Sequence, residues 1–242
     1  MTAVTDFPTS ARHNRTMTTL TPERTVGQIA AALPASVRVF EKHGIDFCCG
    51  GSVPITDACR RAGVDAALLL HEIDQAGQAP AADATDWLTA PLPALMDHIL
   101  DTHHVYMKAQ LPRLEAMLAK VLEAHGDRHG ETLRALAAVY GPMKAELDAH
   151  LLKEERILFP MIRTGQSNCG GVQNPIRVML FEHDSAGDAL AGMRRLTAGY
   201  TPPPDACNTF RALYYELSEM ERDLHRHIHL ENNILFPRAL AE

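Results

Sequence analysis

No stretch of the chain is apolar for long enough to cross a lipid bilayer. A membrane-spanning helix needs about 18 or more consecutive apolar residues, and polar or charged residues interrupt every run before that length. Residues 1–24 contain Arg12, His13 and Arg15 but lack the apolar segment of about 7–15 residues that a secretory signal requires. We therefore expect a cytoplasmic protein with no membrane partner.

The chain also lacks an excess of positive charge and an even number of cysteines. It carries 23 Lys and Arg against 30 Asp and Glu, a formal net charge of -7. No basic stripe rises above this acidic background, so nucleic acid is not an expected partner. The five cysteines are odd in number and scattered, apart from one adjacent pair, which favours free thiols over a disulfide framework.

The chain does contain an internal repeat. His150–Pro160 reads HLLKEERILFP, and His227–Pro237, which begins 77 residues later, reads HIHLENNILFP. In each copy a His and a Glu are four residues apart, so on a helix they project from the same face within about 6 Å of each other. An imidazole and a carboxylate in this arrangement suit a first-row metal ion.

Composition divides the chain into four parts. We expect residues 1–24 to be a disordered tail, residues 25–75 a small helical domain that opens at a capping box on Thr25, and residues 76–90 a linker. Residues 91–242 contain four segments with an apolar residue at every third or fourth position, a pattern typical of packed helices. Short connections between these segments predict an all-α, up-down-up-down four-helix bundle.

Each of the four segments carries a histidine within its apolar stripe. The predicted helices run from about Leu92 to His125, from about Thr132 to Arg163, from near Pro175 onward, and through Leu213 to Ile234. The stripe histidines are His104, His150, His183 and His227. The first and third are 79 residues apart, and the second and fourth are 77 apart. The bundle is therefore expected to consist of two helical hairpins related by a pseudo-twofold axis.

Four imidazoles and two carboxylates in an apolar core require compensation, because each unpaired buried polar group costs on the order of a few kcal/mol. Two metal ions would provide it, with two histidines on each ion and both glutamates bridging, completed by an oxo or hydroxo group. The predicted metal ligands are His104, His150, Glu154, His183, His227 and Glu231. Nitrogen and oxygen ligation without thiolate favours iron, with manganese or zinc as alternatives.

Other polar residues compete for these roles. His225 and His229 are also four residues apart, but the repeat aligns neither with a ligand, so we predict that they are solvated or lie in the layer around the ligands. His104 is preferred to His103, which lies off the apolar stripe. Two glutamates adjoin predicted ligands and either orient a ring N–H or are surface charges: Glu155 and Glu182.

Cys48 and Cys49 allow two interpretations. They are either small apolar residues in a turn or a thiolate pair that binds a partner's metal or passes electrons. Adjacent cysteines cannot form an unstrained disulfide, and Gly50-Gly51 leads toward a helix start, where the dipole lowers the pKa of a thiol. We therefore treat the pair as candidate catalytic residues. The other three cysteines are interpreted as incidental: Cys59, Cys169 and Cys207.

These motifs resemble the Repair of Iron Centres family, of the YtfE and ScdA type, in which a domain with a Phe-Cys-Cys-Gly-Gly motif precedes a hemerythrin-like di-iron bundle. The resemblance covers about residues 25–242 and rests on Phe47–Gly51, the two repeat copies, His104 and Glu182–Asp184. The chain departs from oxygen-carrying hemerythrins at Gly187, where they have a histidine. That departure leaves room at the metal.

The resemblance implies a cytoplasmic, stress-induced protein that repairs iron-sulfur clusters damaged by nitric oxide or oxidants, by donating iron or by removing nitric oxide. The implied partners are damaged iron-sulfur proteins, a second copy in a homodimer, and nitric oxide or oxygen as a small ligand. The Cys48-Cys49 domain would then mediate docking, dimerisation or electron transfer. The alternatives that use the same site are a nitric oxide reductase and a sensor that binds nitric oxide or oxygen.

Overall fold

The computed structural model describes residues 23–78, 85–165 and 171–241. Three features named above lie outside these ranges: the predicted tail apart from its last two residues, the centre of the predicted linker, and Cys169. The described residues form helices joined by turns, with one isolated bridge between Thr25 and Pro54, which confirms the all-α prediction. None of the helices within those ranges is both long and apolar enough to cross a membrane. The cytoplasmic location and the homodimer stay predictions.

Four helices make up the N-terminal part. Thr25 Oγ1 accepts a hydrogen bond from the Gln28 N–H at 3.3 Å, and Gln28 Oε1 accepts one from the Thr25 N–H at 3.1 Å, so the predicted capping box is confirmed. Gly44 ends the second helix with a φ of 64°, a left-handed conformation that glycine adopts without strain. The helices are α1 (Val26–Ala32), α2 (Ser36–His43), α3 (Ile55–Ala62) and α4 (Ala66–Gln78).

The bundle is built from six α-helices interrupted by three π-helical turns. The α-helices are α5 (Leu92–His98), α6 (Val105–Lys153), α7 (Phe159–Thr164), α8 (Gln173–Leu196), α9 (Asn208–Leu230) and α10 (Phe236–Ala241). The π-helical turns are Ile99–His104, Glu154–Leu158 and Glu231–Leu235. Each π turn therefore begins or ends at a predicted metal ligand.

The first two predicted helices are not separated by a loop, because helical hydrogen bonding continues through the turn between them. A straight helix of the 49 residues of α6 would be about 74 Å long. The Tyr140 hydroxyl nevertheless donates a hydrogen bond to the Leu111 carbonyl at 2.8 Å, so the chain reverses within α6. Gly126 and Gly130 lie at the reversal, and neither has a positive φ. The predicted hairpin is therefore present without the predicted break.

Proline explains the π turns in the two repeat copies. Pro160 and Pro237 lack an N–H, and in a regular α-helix each ring would clash with the carbonyl four residues earlier. The residue before each proline bonds instead to the carbonyl five residues earlier: Phe159 N–H to Glu154 O, and Phe236 N–H to Glu231 O. Turns of this kind often occur at functional sites. In both copies the wide turn begins at the glutamate that the repeat marks as a ligand.

The predicted ligands lie between two apolar clusters. One cluster fills the half of the bundle nearest the α6 reversal and includes Leu114, Leu136 and Leu217, all fully buried. The other lies at the opposite end and includes Ile99, Leu158 and Leu235. The histidines and glutamates are thus enclosed by hydrocarbon on both sides along the bundle axis.

The N-terminal part docks against α9 and the π turn that follows it. Arg226 forms a two-point ion pair with Glu41, at 3.0 and 3.1 Å. The Asn233 amide donates to the Phe47 carbonyl at 3.1 Å. A Cβ added at Gly27 would lie 2.1 Å from Asn233 Oδ1, so only glycine permits this close approach. These contacts set the Cys48-Cys49 loop against the bundle.

Replacing Tyr140 with Phe tests the reversal within α6. The substitution removes the buried hydroxyl bond to Leu111, and we expect a loss of about 1 kcal/mol in the free energy of unfolding, seen as a melting temperature lower by about 2–4 °C. Tyr215→Phe is the matched control, because Tyr215 is 62% exposed. Equal melting temperatures for the two variants, measured by calorimetry, would contradict the role of this bond.

Candidate metal centre

Six polar side chains from four helical segments meet in the middle of the bundle. His150 lies on α6, His183 on α8 and His227 on α9, while His104 ends the first π turn. The two glutamates begin the other two π turns. All six are at most 3% exposed: His104, His150, Glu154, His183, His227 and Glu231. The structure thus brings together the whole ligand set predicted from the sequence.

These side chains form two groups that share both glutamates. One group contains His104 and His227, and the other contains His150 and His183. Within each group, one nitrogen or oxygen from every residue lies within 4.8 Å of the others. The arrangement provides two adjacent cation positions, each with two imidazoles and two shared carboxylates.

Each carboxylate turns one oxygen toward each group. Glu154 Oε2 lies 3.4 Å from His104 Nε2, and its Oε1 lies 3.2 Å from His150 Nε2. The second glutamate repeats this pattern: Glu231 Oε1 lies 3.3 Å from His227 Nε2, and its Oε2 lies 3.2 Å from His183 Nε2. Each glutamate therefore presents one oxygen to each of the two groups.

Hydrogen bonds outside the centre orient three of the four imidazoles. His104 Nδ1 is 2.9 Å from Glu155 Oε1, and His150 Nδ1 is 2.8 Å from Glu182 Oε2. In the third, His183 Nδ1 is 2.7 Å from Asn232 Oδ1. A bond at Nδ1 leaves Nε2 directed into the centre as a ligand atom. Glu155 and Glu182 are thus orienting residues rather than surface charges.

The pseudo-twofold symmetry extends to the residues that contact the outer side of the histidines, although the paired residues differ in type. Asn232 has the position in its repeat copy that Glu155 has in the other, and each orients the histidine on the other helix of its own hairpin. Sequence reasoning missed this role of Asn232, although its place directly after a ligand glutamate signals it. The counterpart of Glu182 is His103, whose ring stacks on His227 at 5.6 Å with an angle of 4°.

The donor set fits cations because its inward-facing atoms lack hydrogen bonds. Among the described residues, no hydrogen bond reaches the four carboxylate oxygens of Glu154 and Glu231, or Nε2 of His104 and of His227. Burial alone would raise the pKa of Glu231, but the neighbouring His227 and His183 imidazoles outweigh it and hold that pKa well below its ordinary value. The carboxylates are therefore ionised, and positive charge between them would satisfy both.

The competing histidines lie outside the centre. Burial lowers the pKa of His225 and of His229 to about 4. Both rings contact Phe47 edge-on. The Phe47 ring centroid lies 6.2 Å from that of His225 and 5.6 Å from that of His229. Of the two alternatives predicted for these histidines, solvation is therefore wrong for His229, which the N-terminal part covers to 5% exposure. His103 bonds through Nδ1 to Asp223 at 3.0 Å, in agreement with the choice of His104.

The two adjacent cysteines lie against the third ligand helix. Cys49 Sγ donates to the His183 carbonyl at 3.4 Å, and a Cβ added at Gly187 would lie 3.3 Å from the same sulfur. The space that a side chain at position 187 would need is thus taken up by Cys49. The expectation of a lowered thiol pKa is wrong for Cys48: its hydrogen bond with Cys49, together with burial, raises its pKa well above the ordinary value. The next helix begins only at Ile55, too far away for its dipole to act.

A bundle with two cation positions joined by shared carboxylates defines a hemerythrin-type, cation-binding protein. The model of the hemerythrin HHE cation binding domain matches residues 95–239. The model of ScdA_N, a domain of unknown function (DUF542), matches residues 22–77. The chain therefore belongs to the hemerythrin-like Repair of Iron Centres proteins of the YtfE and ScdA type, as its motifs predicted.

Similar proteins match along nearly their whole length. The iron-sulfur cluster repair protein YtfE of Citrobacter koseri is 39% identical over 219 residues, which are 90% of this chain and 97% of that protein. The protein of the same name from Edwardsiella ictaluri is 41% identical over 221 residues, 91% of this chain and 98% of its own. In Escherichia coli strain ED1a the identity is 38% over 219 residues.

Replacing Glu154 with Gln tests whether this side chain serves both cation positions. The amide keeps the size of the side chain but loses the charge that faces His104 and His150. We expect loss of metal from both positions, and loss of the rise in melting temperature that bound metal gives the parent. Glu131→Gln is the control, because Glu131 is exposed. Metal analysis showing one full equivalent in the Glu154 variant would contradict a bridging role.

The outer glutamates should affect different ions. Glu182→Gln disturbs His150, and Glu155→Gln disturbs His104, so each variant should weaken one position by roughly 10–100-fold. Metal removal by a chelator should then become biphasic, with one fast phase per variant. Asp188→Asn, at an exposed position of α8, is the control. Removal that stays in a single phase in both variants would argue against two separate positions.

Proposed function

We propose that this chain is a di-iron protein that repairs iron-sulfur clusters damaged by nitrosative or oxidative stress, by donating iron. Relatives named iron-sulfur cluster repair protein, aligned over 97–98% of their length, support the repair function. The main observation in favour of bound iron is the pair of buried, ionised carboxylates that lack a hydrogen-bonding partner within the described ranges. Such a site is built to hold positive charge.

Each of the two irons would be held by two histidines and by both glutamates. His104 and His227 would bind one iron, His150 and His183 the other, and Glu154 and Glu231 would bridge them. Iron in this set would be held by imidazole and carboxylate groups only. The second iron lies on the side where Cys49 of the N-terminal part contacts the bundle at Gly187 and His183.

The softness of the ligands determines the direction in which iron would be transferred between the bundle and a damaged cluster. Imidazole and carboxylate ligands suit Fe²⁺ moderately, whereas thiolates select iron within iron-sulfur clusters. Iron passed from this bundle to a damaged cluster would therefore move from nitrogen and oxygen ligands to sulfur ligands. The bundle serves as a source because it binds iron tightly enough to carry it and less tightly than the recipient. Damaged iron-sulfur proteins are the partners that this chemistry requires.

Nitric oxide and oxygen are proposed only as small ligands of the same centre. Gly187 has no side chain that could bind the second ion, so a diatomic molecule would take that coordination position. Binding of this kind accompanies the repair function and does not require turnover.

Iron transfer to an iron-free cluster protein tests the proposal. Protein purified without oxygen and loaded with ⁵⁷Fe should carry about two irons, as the paired-carboxylate bundles do. On mixing with an iron-free ferredoxin, sulfide and a thiol reductant, its ⁵⁷Fe should fall while the recipient gains cluster absorbance. The Glu154→Gln variant should restore no cluster.

Two outcomes would contradict donation. Iron that stays in the bundle while the recipient remains empty would rule it out under these conditions. Iron that stays while added nitric oxide is converted to nitrous oxide would favour the reductase alternative. The Glu131→Gln variant, which is expected to behave as the parent does, controls for handling of the protein.

A further inference from the structure

Three potential metal ligands meet in the loop between α2 and α3. Cys48 Sγ lies 3.8 Å from Cys49 Sγ and 3.2 Å from Asp46 Oδ1. One ligand atom from each of the three residues lies within 4.8 Å of the others. None of these residues belongs to the two groups of the bundle centre. Cys48 is buried, Cys49 is half-buried and Asp46 is exposed, so the cluster reaches from the protein interior to solvent.

The separation of the two sulfurs suits a metal chelate. Two thiolates bound at about 2.3 Å to a tetrahedral ion lie about 3.8 Å apart. A disulfide requires its sulfurs at about 2.05 Å, and adjacent cysteines reach that distance only with strain. The observed spacing of Cys48 and Cys49 is therefore the one that a single tetrahedral cation needs.

The loop is held in place before any cation arrives. The Asp46 carboxylate accepts hydrogen bonds from the N–H groups of Cys48 at 2.9 Å and Gly50 at 2.8 Å. Asn233 anchors the loop to the bundle through the Phe47 carbonyl. A site whose ligands are fixed in advance loses little conformational entropy when it binds.

We propose that Asp46, Cys48 and Cys49 form a third cation site, for one thiophilic divalent ion such as Fe²⁺ or Zn²⁺. The cysteines supply two sulfur ligands, Asp46 supplies one oxygen, and water completes the four ligands that such ions prefer. Binding displaces one proton from each thiol to solvent, so the cation replaces the proton that Cys48 shares with its neighbours.

The location of the third site suggests what it does. Cys49 Sγ touches the carbonyl of His183, a ligand of the second bundle position, and Asp46 opens to solvent. The site therefore holds iron as it passes between the bundle and a recipient. This role rests on the proposed function, whereas the binding of a cation does not.

Anaerobic titration with Co²⁺ tests the site directly. The protein is first loaded with iron in the bundle, and Co²⁺ is then added while the thiolate-to-cobalt charge-transfer absorption is recorded. We expect one saturable equivalent of Co²⁺ with this absorption. Cys48→Ser and Cys49→Ser should each lose the absorption and weaken Co²⁺ binding at least tenfold, with unchanged bundle iron as the check on folding.

Cys207→Ser is the control, because Cys207 Sγ lies 3.1 Å from His125 Nε2 and offers another thiol and imidazole to a metal. This variant should keep the full absorption. Absence of the absorption in the parent, or its survival in both Cys48→Ser and Cys49→Ser, would overturn the proposal. Either result would leave iron transfer by the parent unaffected, so failure of this site and failure of the repair function are separable.

Discussion

The burial of two ionised carboxylates in an apolar bundle is the constraint on which the rest of the structure depends. Glu154 and Glu231 are fully buried, and within the described ranges no hydrogen bond reaches their oxygens. Burying an unpaired carboxylate in hydrocarbon is prohibitively costly unless a positive charge accompanies it. Cations between the four imidazoles would offset that cost, and the apolar clusters on either side exclude the water that would otherwise compete. We therefore expect folding and metal binding to be coupled in this chain.

The repeat makes the two cation positions similar without making them equal. Its symmetry pairs Glu155 with Asn232, but only one of these two outer residues is charged. It likewise pairs Glu182 with His103, where a hydrogen-bonded carboxylate is replaced by a stacked ring. A charged partner raises the basicity of the imidazole that it orients. The two ligand groups thus have different surroundings, and the contact of Cys49 from the N-terminal part with His183 adds to that difference.

Most of the fold and the ligand set could be predicted because they follow from local pattern. Apolar residues at every third or fourth position indicate helices, and the aligned His and Glu of the repeat single out the residues that share a face. The π turns were not predictable in this way, since spacing alone does not show where hydrogen bonding shifts by one residue. The contact of Cys49 with Gly187 and the burial of His229 under Phe47 join residues more than 100 positions apart. Such contacts depend on how the N-terminal part docks on the bundle, which no periodicity encodes.

Metal content combined with X-ray absorption spectroscopy tests the central claim most directly. Protein isolated without oxygen from iron-replete cells should contain two irons per chain, and the iron spectrum should show imidazole and carboxylate ligands together with a second iron as a near neighbour. That result would place two bridged ions between Glu154 and Glu231. A single iron without a metal neighbour, or zinc in place of iron, would contradict the account.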